Sequence, residues 1–214
     1  NSIQSIPGTQ KLNFCYNSPG LSHPFCAPQY QRRDALTGEV VFLSAQPANI
    51  GAEEASGIAL GAQYRTDILG YQSAFALNVS HLSKYEVTAF PGAVPTVYDG
   101  FITGGRGSYT EWRGDLAATV RGERWTGHWN MQYIGGADDI NVRTGPGSSV
   151  SSVQYHNFQF GWDFDFGMTL AAGVDNAFDE DAPYVASWID ANTDTMTYDL
   201  MGRRWYMRAT WRMK

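Results

Sequence analysis

The closing stretch of this chain, Arg203 to Lys214, constrains its fold more than any other. It reads R-R-W-Y-M-R-A-T-W-R-M-K. Side chains two apart in a β-strand share a face. Trp205, Met207, Ala209, Trp211 and Met213 therefore fall on one side, and Arg204, Tyr206, Arg208, Thr210, Arg212 and Lys214 on the other. One face is apolar and the other cationic. In a water-soluble sandwich the apolar face would need a second sheet, yet its Trp and Met stand at the end of the sequence with nothing following to cover them. That predicts a strand with lipid on one side and a wet lumen on the other.

The same period of two recurs upstream. Ile58, Leu60, Ala62 and Tyr64 alternate with Ala59, Gly61, Gln63 and Arg65 before a turn at Asp67-Ile68-Leu69-Gly70. Tyr71, Phe75, Leu77, Val79 and Tyr85 follow, against Gln72, Asn78, Ser80, Lys84 and Glu86. A third strand sets Trp112, Leu116, Ala118 and Val120 against Glu111, Arg113, Asp115, Thr119 and Arg121. Past Gly122-Glu123-Arg124, a fourth sets Trp125, Trp129, Met131 and Tyr133 against Thr126, His128, Asn130 and Gln132. A fifth opposes Phe158, Phe160, Trp162 and Phe164 to Asn157, Gln159, Gly161 and Asp163. After Asp165-Phe166-Gly167 the sixth opposes Met168, Leu170, Ala172, Val174 and Phe178 to Thr169, Ala171, Gly173 and Asp175. Connections of about 3–4 residues alternate with connections of about 17–20, three times over, against a usual median of about 4–6. A transmembrane barrel has short turns on one rim and long loops on the other.

The expected fold is all-β: an antiparallel transmembrane β-barrel segment of about seven strands with long extracellular loops, too few to close by themselves, since the smallest known barrels have about eight. Residues 54–214 carry the strands. Residues 1–53 show no sustained period and read as a long, ordered-looking extracellular loop region with one short hairpin. Within it, Cys15 and Cys26 lie among Pro, Ser, Asn and Gly, which fits a disulfide in an oxidising compartment; two unrelated buried thiols is the alternative. Asn1 to Gln10 has neither the basic start nor the apolar core of a signal peptide, so the chain is either mature or begins within a longer one. No apolar run approaches the roughly 20 residues of a transmembrane helix. A net charge of −6 with scattered Lys and Arg argues against a nucleic-acid partner.

Gly173-Val174-Asp175-Asn176-Ala177-Phe178-Asp179, then Ala182-Pro183-Tyr184, then Tyr198-Asp199-Leu200-Met201-Gly202-Arg203-Arg204-Trp205-Tyr206 resembles the C-terminal end of a TonB-dependent outer-membrane receptor. The resemblance extends to Cys15-Tyr16 through Phe25-Cys26, to Arg33-Asp34 and Thr37-Gly38, and to Ala55-Ser56-Gly57. It implies the last third of a barrel of about twenty-two strands. It also implies a bacterial outer-membrane location and uptake of a scarce ligand: a siderophore, cobalamin, oligosaccharide or similar compound. The implied partners are the plug and N-terminal strands of the same receptor, the TonB complex that supplies energy, and outer-membrane lipid. The sequence departs from the family by ending on Met213-Lys214 rather than an aromatic residue, and by carrying no plug.

No catalytic set stands out, so no enzyme activity and no cofactor are expected. His81, His128 and His156 lie on separate strands without metal-ligand spacing. Asp138-Asp139 and Asp179-Glu180-Asp181 could offer oxygens to calcium, but loop acids are usually only solvated. The residues expected to face the lumen are Glu111, Arg113, Asp115, Arg121, Asp163, Arg204, Arg208 and Arg212. Tyr98, Phe101, Tyr184 and Trp188 are the candidate ligand contacts in the loops. Two other readings fit the pattern: a passive porin-type barrel, and a secreted carbohydrate-binding β-sandwich with aromatic loops.

Overall fold

The computed structural model describes residues 2–4, 7–44, 48–88, 94–104 and 107–212. Met213 and Lys214, placed above on the two faces of the last strand, lie outside the described residues. The chain divides into two compact units, one of residues 1–53 and 87–96, the other of residues 54–86 and 97–214.

Seven long strands run as an up-and-down meander: β1 Ala48–Ile68, β2 Tyr71–Thr88, β3 Trp112–Arg121, β4 Trp125–Ile134, β5 Val153–Asp163, β6 Met168–Asp175 and β7 Arg204–Trp211. Each pairs with its neighbour in sequence, and the sheet remains open, with β7 at one edge. At the other, Ser2–Gln4 covers only the start of β1, with Ser2 opposite Gly51 and Gln4 opposite Ala48. The first strand begins at Ala48, earlier than the alternation starting near residue 54 suggests. Phe178, expected in the sixth strand, lies past its end at Asp175. No described helix is long and apolar enough to cross a membrane.

The registers explain why the alternation was readable. Leu116 of β3 sits between Leu77 of β2 and Met131 of β4, and Ala118 between Phe75 and Trp129. Trp129 in turn faces Phe158, which faces Val174, which faces Trp205. One face is thus predominantly apolar across β2 to β7, with His156 opposite Met131 and Ser73 opposite Val120 as polar positions, and much of it is not covered. Trp205 and Trp211 retain 76% and 68% of their accessible surface, and Ile58 of β1 retains 72%. An uncovered apolar face of this extent is rare on a soluble monomer.

The turns set the geometry of one end of the sheet. Leu69 and Gly70 both have positive φ, 52° and 82°, the conformation of a tight hairpin whose twist matches its strands. Gly122-Glu123-Arg124 closes on a Gly122 N–H to Trp125 carbonyl bond of 2.9 Å, and Phe164–Gly167 on one from Phe164 N–H to Met168 carbonyl of 2.8 Å. The opposite end carries all three long connections, 89–111, 135–152 and 176–203.

Residues 7–44 carry regular elements that the sequence does not reveal. Gly8–Tyr16 forms an α-helix, followed by 3-10 turns at Pro19–Leu21 and Pro24–Cys26, and the hairpin Gln31–Arg33 with Val40–Leu43. The helix has no apolar stripe; it buries only Lys11 and Cys15. Isolated helices this short are marginal in water, so tertiary anchors must hold it. Cys15 is bonded to Cys26, and the Lys11 ammonium donates to the Ser44 carbonyl at 2.8 Å. At the hairpin turn, Asp34 accepts from the Leu36 and Thr37 N–H groups at 2.8 and 2.9 Å. Those bonds, Thr37's first, hold its carboxyl below the usual range.

Candidate functional site

The polar face of the sheet is set by the same registers. Arg113 lies opposite Ser80, Asp115 between Asn78 and Gln132, and Arg121 between Gln72 and Thr126. Asp163 faces Thr169, whose hydroxyl donates to it at 2.6 Å. Arg204 faces Asp175, Arg208 faces Ala171, and Arg212 follows the end of β7, its N–H on the Gly167 carbonyl. Glu111 precedes β3 and lies beside Gly100. The eight residues read as one polar face do not form one cluster: three strands separate Arg113 and Arg121 on β3 from the arginines of β7.

Small and aromatic residues alternate on this face where backbone must stay open. A Cβ at Gly173 would run into the ring of Tyr206, its cross-strand partner. The phenol thus lies over the glycine, an arrangement that compensates for the missing side chain. A neighbouring pair of amides links β4 and β5 and reaches the residue after β6: Asn157 donates to Asn130 at 2.9 Å and accepts from the Asn176 backbone N–H at 2.8 Å.

The long connections are folded against one another. Ser149–Val150, Ala137–Asp139, Phe101–Thr103 and Gly107–Tyr109 form a second sheet in that order. Beneath it lies an apolar core of Ile102, Ile134, Val150, Val153, Tyr155 and Val185 together with Trp188 and Tyr198. Burying side chains of this size contributes about 1.5–3 kcal/mol each, enough to order loops of this length. Two buried carboxylates tie the connections together. Asp139 accepts from the N–H groups of Asn141 and Val142 in its own loop and from Ser187 N–H in the last one, at 2.8–3.2 Å. Asp194, fully buried, accepts from the Ser108 hydroxyl at 2.6 Å and the Met196 N–H at 2.9 Å. The Arg113 guanidinium donates to the Ser108 carbonyl at 2.7 Å and the Thr110 hydroxyl at 3.1 Å.

Tyr198 lies inside this network, and its hydroxyl has no hydrogen-bond partner among the described residues. Burial pushes its phenol up to about 12; the nearby Ser108 hydroxyl, engaged with Asp194, offsets this only in part. Both ends of the last loop are also stitched. Asn176, with φ 49°, exchanges two 2.8 Å bonds with the backbone of Glu180. Asp179 accepts from the Arg203 N–H at 2.8 Å, and Asp199 pairs with Arg204 at 3.4 Å. The Asn-Ala-Phe-Asp and Tyr-Asp…Arg-Arg motifs therefore clamp one loop from its two ends.

The candidate ligand contacts separate into three environments. Trp188 retains only 7% of its surface and supports the loop core rather than presenting an aromatic face to solvent. Tyr98 packs between Tyr85 and Tyr109, with centroids 5.8 and 5.7 Å away, and Phe101 lies under the Arg143 guanidinium at 5.0 Å. Tyr184 is 53% exposed. Exposed Ile189, Met196 and Met201 accompany it on the same loop and had no periodic pattern to reveal them. Among the described residues no His, Cys, Asp or Glu cluster could hold a metal ion. His128 meets the Thr119 hydroxyl at 2.8 Å, and His156 accepts from the Trp129 indole at 3.2 Å on the apolar face. No family model, curated protein or solved structure matches this chain.

Proposed function

We propose that this chain forms the C-terminal part of the β-barrel of a TonB-dependent outer-membrane receptor, importing a scarce ligand with energy relayed by TonB from across the periplasm. The observation that carries the membrane part of the reading is the predominantly apolar face of β2 to β7, left largely uncovered while the opposite face stays polar. Lipid is the solvent that tolerates such a face, and a lumen is the place where the arginines remain hydrated. The short turns then lie at the periplasmic rim and the long loops outside. Their packed core holds Tyr184, Ile189, Met196 and Met201 where a ligand arrives. The open edges at β1 and β7 support a larger ring, because an unpaired strand edge in lipid costs several kcal/mol per orphaned group. The receptor assignment rests on the closing motifs and the clamped loop they form.

A passive porin-type barrel shares every one of these physical features, and a plug preceding the strands in the same polypeptide distinguishes the receptor from it. A soluble carbohydrate-binding sandwich requires a second sheet over the apolar face. The test is extraction of the native protein from cells. The barrel reading predicts that the chain resists alkaline carbonate and enters solution only with detergent. Recovery of a monodisperse protein in plain buffer overturns it.

A further inference from the structure

The arginines of the polar face differ in how they are satisfied. Toward the long loops, Arg113 donates to Ser108 and Thr110, and Arg204 pairs with Asp199 at 3.4 Å and Asp175 at 3.9 Å. Toward the short turns, Arg65 and Arg121 make no hydrogen bond or ion pair to any described residue. Both line one cavity of about 600 Å3, together with Gln72, Thr66, Thr119 and Asp67. Asp67 shares the cavity without pairing with either guanidinium. Arg124, close in sequence to Arg121 but on the outer turn, has its own carboxylate, Asp165, at 2.9 Å.

From this we infer that the cavity between β1, β2 and β3 is an anion site taking a carboxylate or phosphate group. Guanidinium is planar, permanently charged and matched in geometry to a two-oxygen anion. Two such groups facing one cavity repel each other until an anion arrives between them, and the Thr119 hydroxyl and the Gln72 amide can complete its coordination. Water alone satisfies an exposed arginine. It does not explain why two unpaired guanidinia share one cavity in a chain whose net charge is −6. The site is a property of the polar face itself; its position at the inner mouth of a pore rests on the membrane reading above.

The oxyanion has two sources, a free solute or an acidic side chain of polypeptide lying in the lumen, and one preparation distinguishes them. The protein is extracted in detergent with whatever polypeptide accompanies it, at low ionic strength so that the charges are not screened. Inorganic phosphate is titrated calorimetrically into the wild type, Arg65→Gln, Arg121→Gln and Arg124→Gln. A free-anion site gives saturable binding, weakened about tenfold or more by either pocket substitution and unchanged by Arg124→Gln. In the second arm, Arg65→Lys is treated with a zero-length carbodiimide. Covalent joining of that lysine to an aspartate or glutamate other than Asp67 identifies a polypeptide carboxylate in the site. Absence of both phosphate binding and cross-link, or phosphate binding indifferent to Arg65 and Arg121, overturns the inference. Detergent dependence of the same preparation reports separately on the membrane reading.

Discussion

Met131 and Gln132 are adjacent in β4 but face opposite ways, so the same arginine placed at each probes the two faces against each other. Met131 lies opposite Leu116 and His156; Gln132 lies opposite Asp115 and Tyr155. From Trp125 at the short-turn end, about six steps of ~3.4 Å tilted by about 40° place Met131 roughly 15 Å into an apolar band about 25 Å tall. On the membrane reading proposed above that is close to the midplane, where an arginine costs about 2–4 kcal/mol. Met131→Arg should therefore reduce the inserted population by about 30-fold to several hundred-fold, at 1.4 kcal/mol per factor of ten. Gln132→Arg places its guanidinium across from Asp115, a cross-strand pair worth about 0.2–1 kcal/mol, and should be neutral or slightly favourable. The assay is the membrane-inserted fraction and the heat-modifiable mobility of each variant on gels. Equal damage from the two, or damage from Gln132→Arg alone, refutes the assignment of faces.

Reduction of the Cys15–Cys26 bond should loosen the helix and hairpin of residues 7–44 by roughly 3 kcal/mol in the chain-entropy model, seen as new proteolytic cuts there with the strands unaffected. Asp139→Ala should destabilise the loop core by about 1–3 kcal/mol, because three N–H groups lose a buried, charged acceptor; hydrogen exchange at Asn141, Val142 and Ser187 reads this directly. Tyr198→Phe should be neutral or stabilising, since it removes a buried hydroxyl without a partner, whereas Tyr155→Phe loses the bond from Asp199 N–H and should cost about 1 kcal/mol in a denaturant titration. With its folded pKa raised to about 12 from 10.0, Tyr198 leaves stability unaffected below pH 10.0, and the loop core loses stability as pH rises through about 12, because the unfolded chain ionises its phenol first. The difference in phenolate absorbance between wild type and Tyr198→Phe follows it.

The strands were legible because each reports its environment twice, once on each face. Trp205, Met207 and Trp211 against Arg204, Arg208 and Arg212 leave one register that keeps the apolar and charged faces apart, and a one-residue slip would reverse it. The loops carry no such period. Asp139, Asp194 and Tyr198 matter through pairings with Ser187, Ser108 and each other's surroundings across separate connections, which spacing along the chain does not encode. Trp188 illustrates the difficulty: an aromatic residue in a Gly- and Asp-rich loop suits a ligand surface or a core equally, and only the packing of Val185 and Tyr198 around it distinguishes them. The helix at Gly8–Tyr16 was hidden for another reason, because a disulfide and one lysine tether hold it rather than an apolar stripe.

Whether this sheet belongs to a larger ring in lipid is tested most directly at its edges. Amide hydrogen exchange on the native, membrane-extracted protein, resolved along β1 and β7, reports whether their outward N–H groups are paired. The account predicts slow exchange along Ile58–Tyr64 and along Arg204–Trp211, with the protecting polypeptide recovered in the same preparation. A chain that is monodisperse, membrane-inserted and protease-resistant by itself would contradict it, as would fast exchange along both edges in the native membrane.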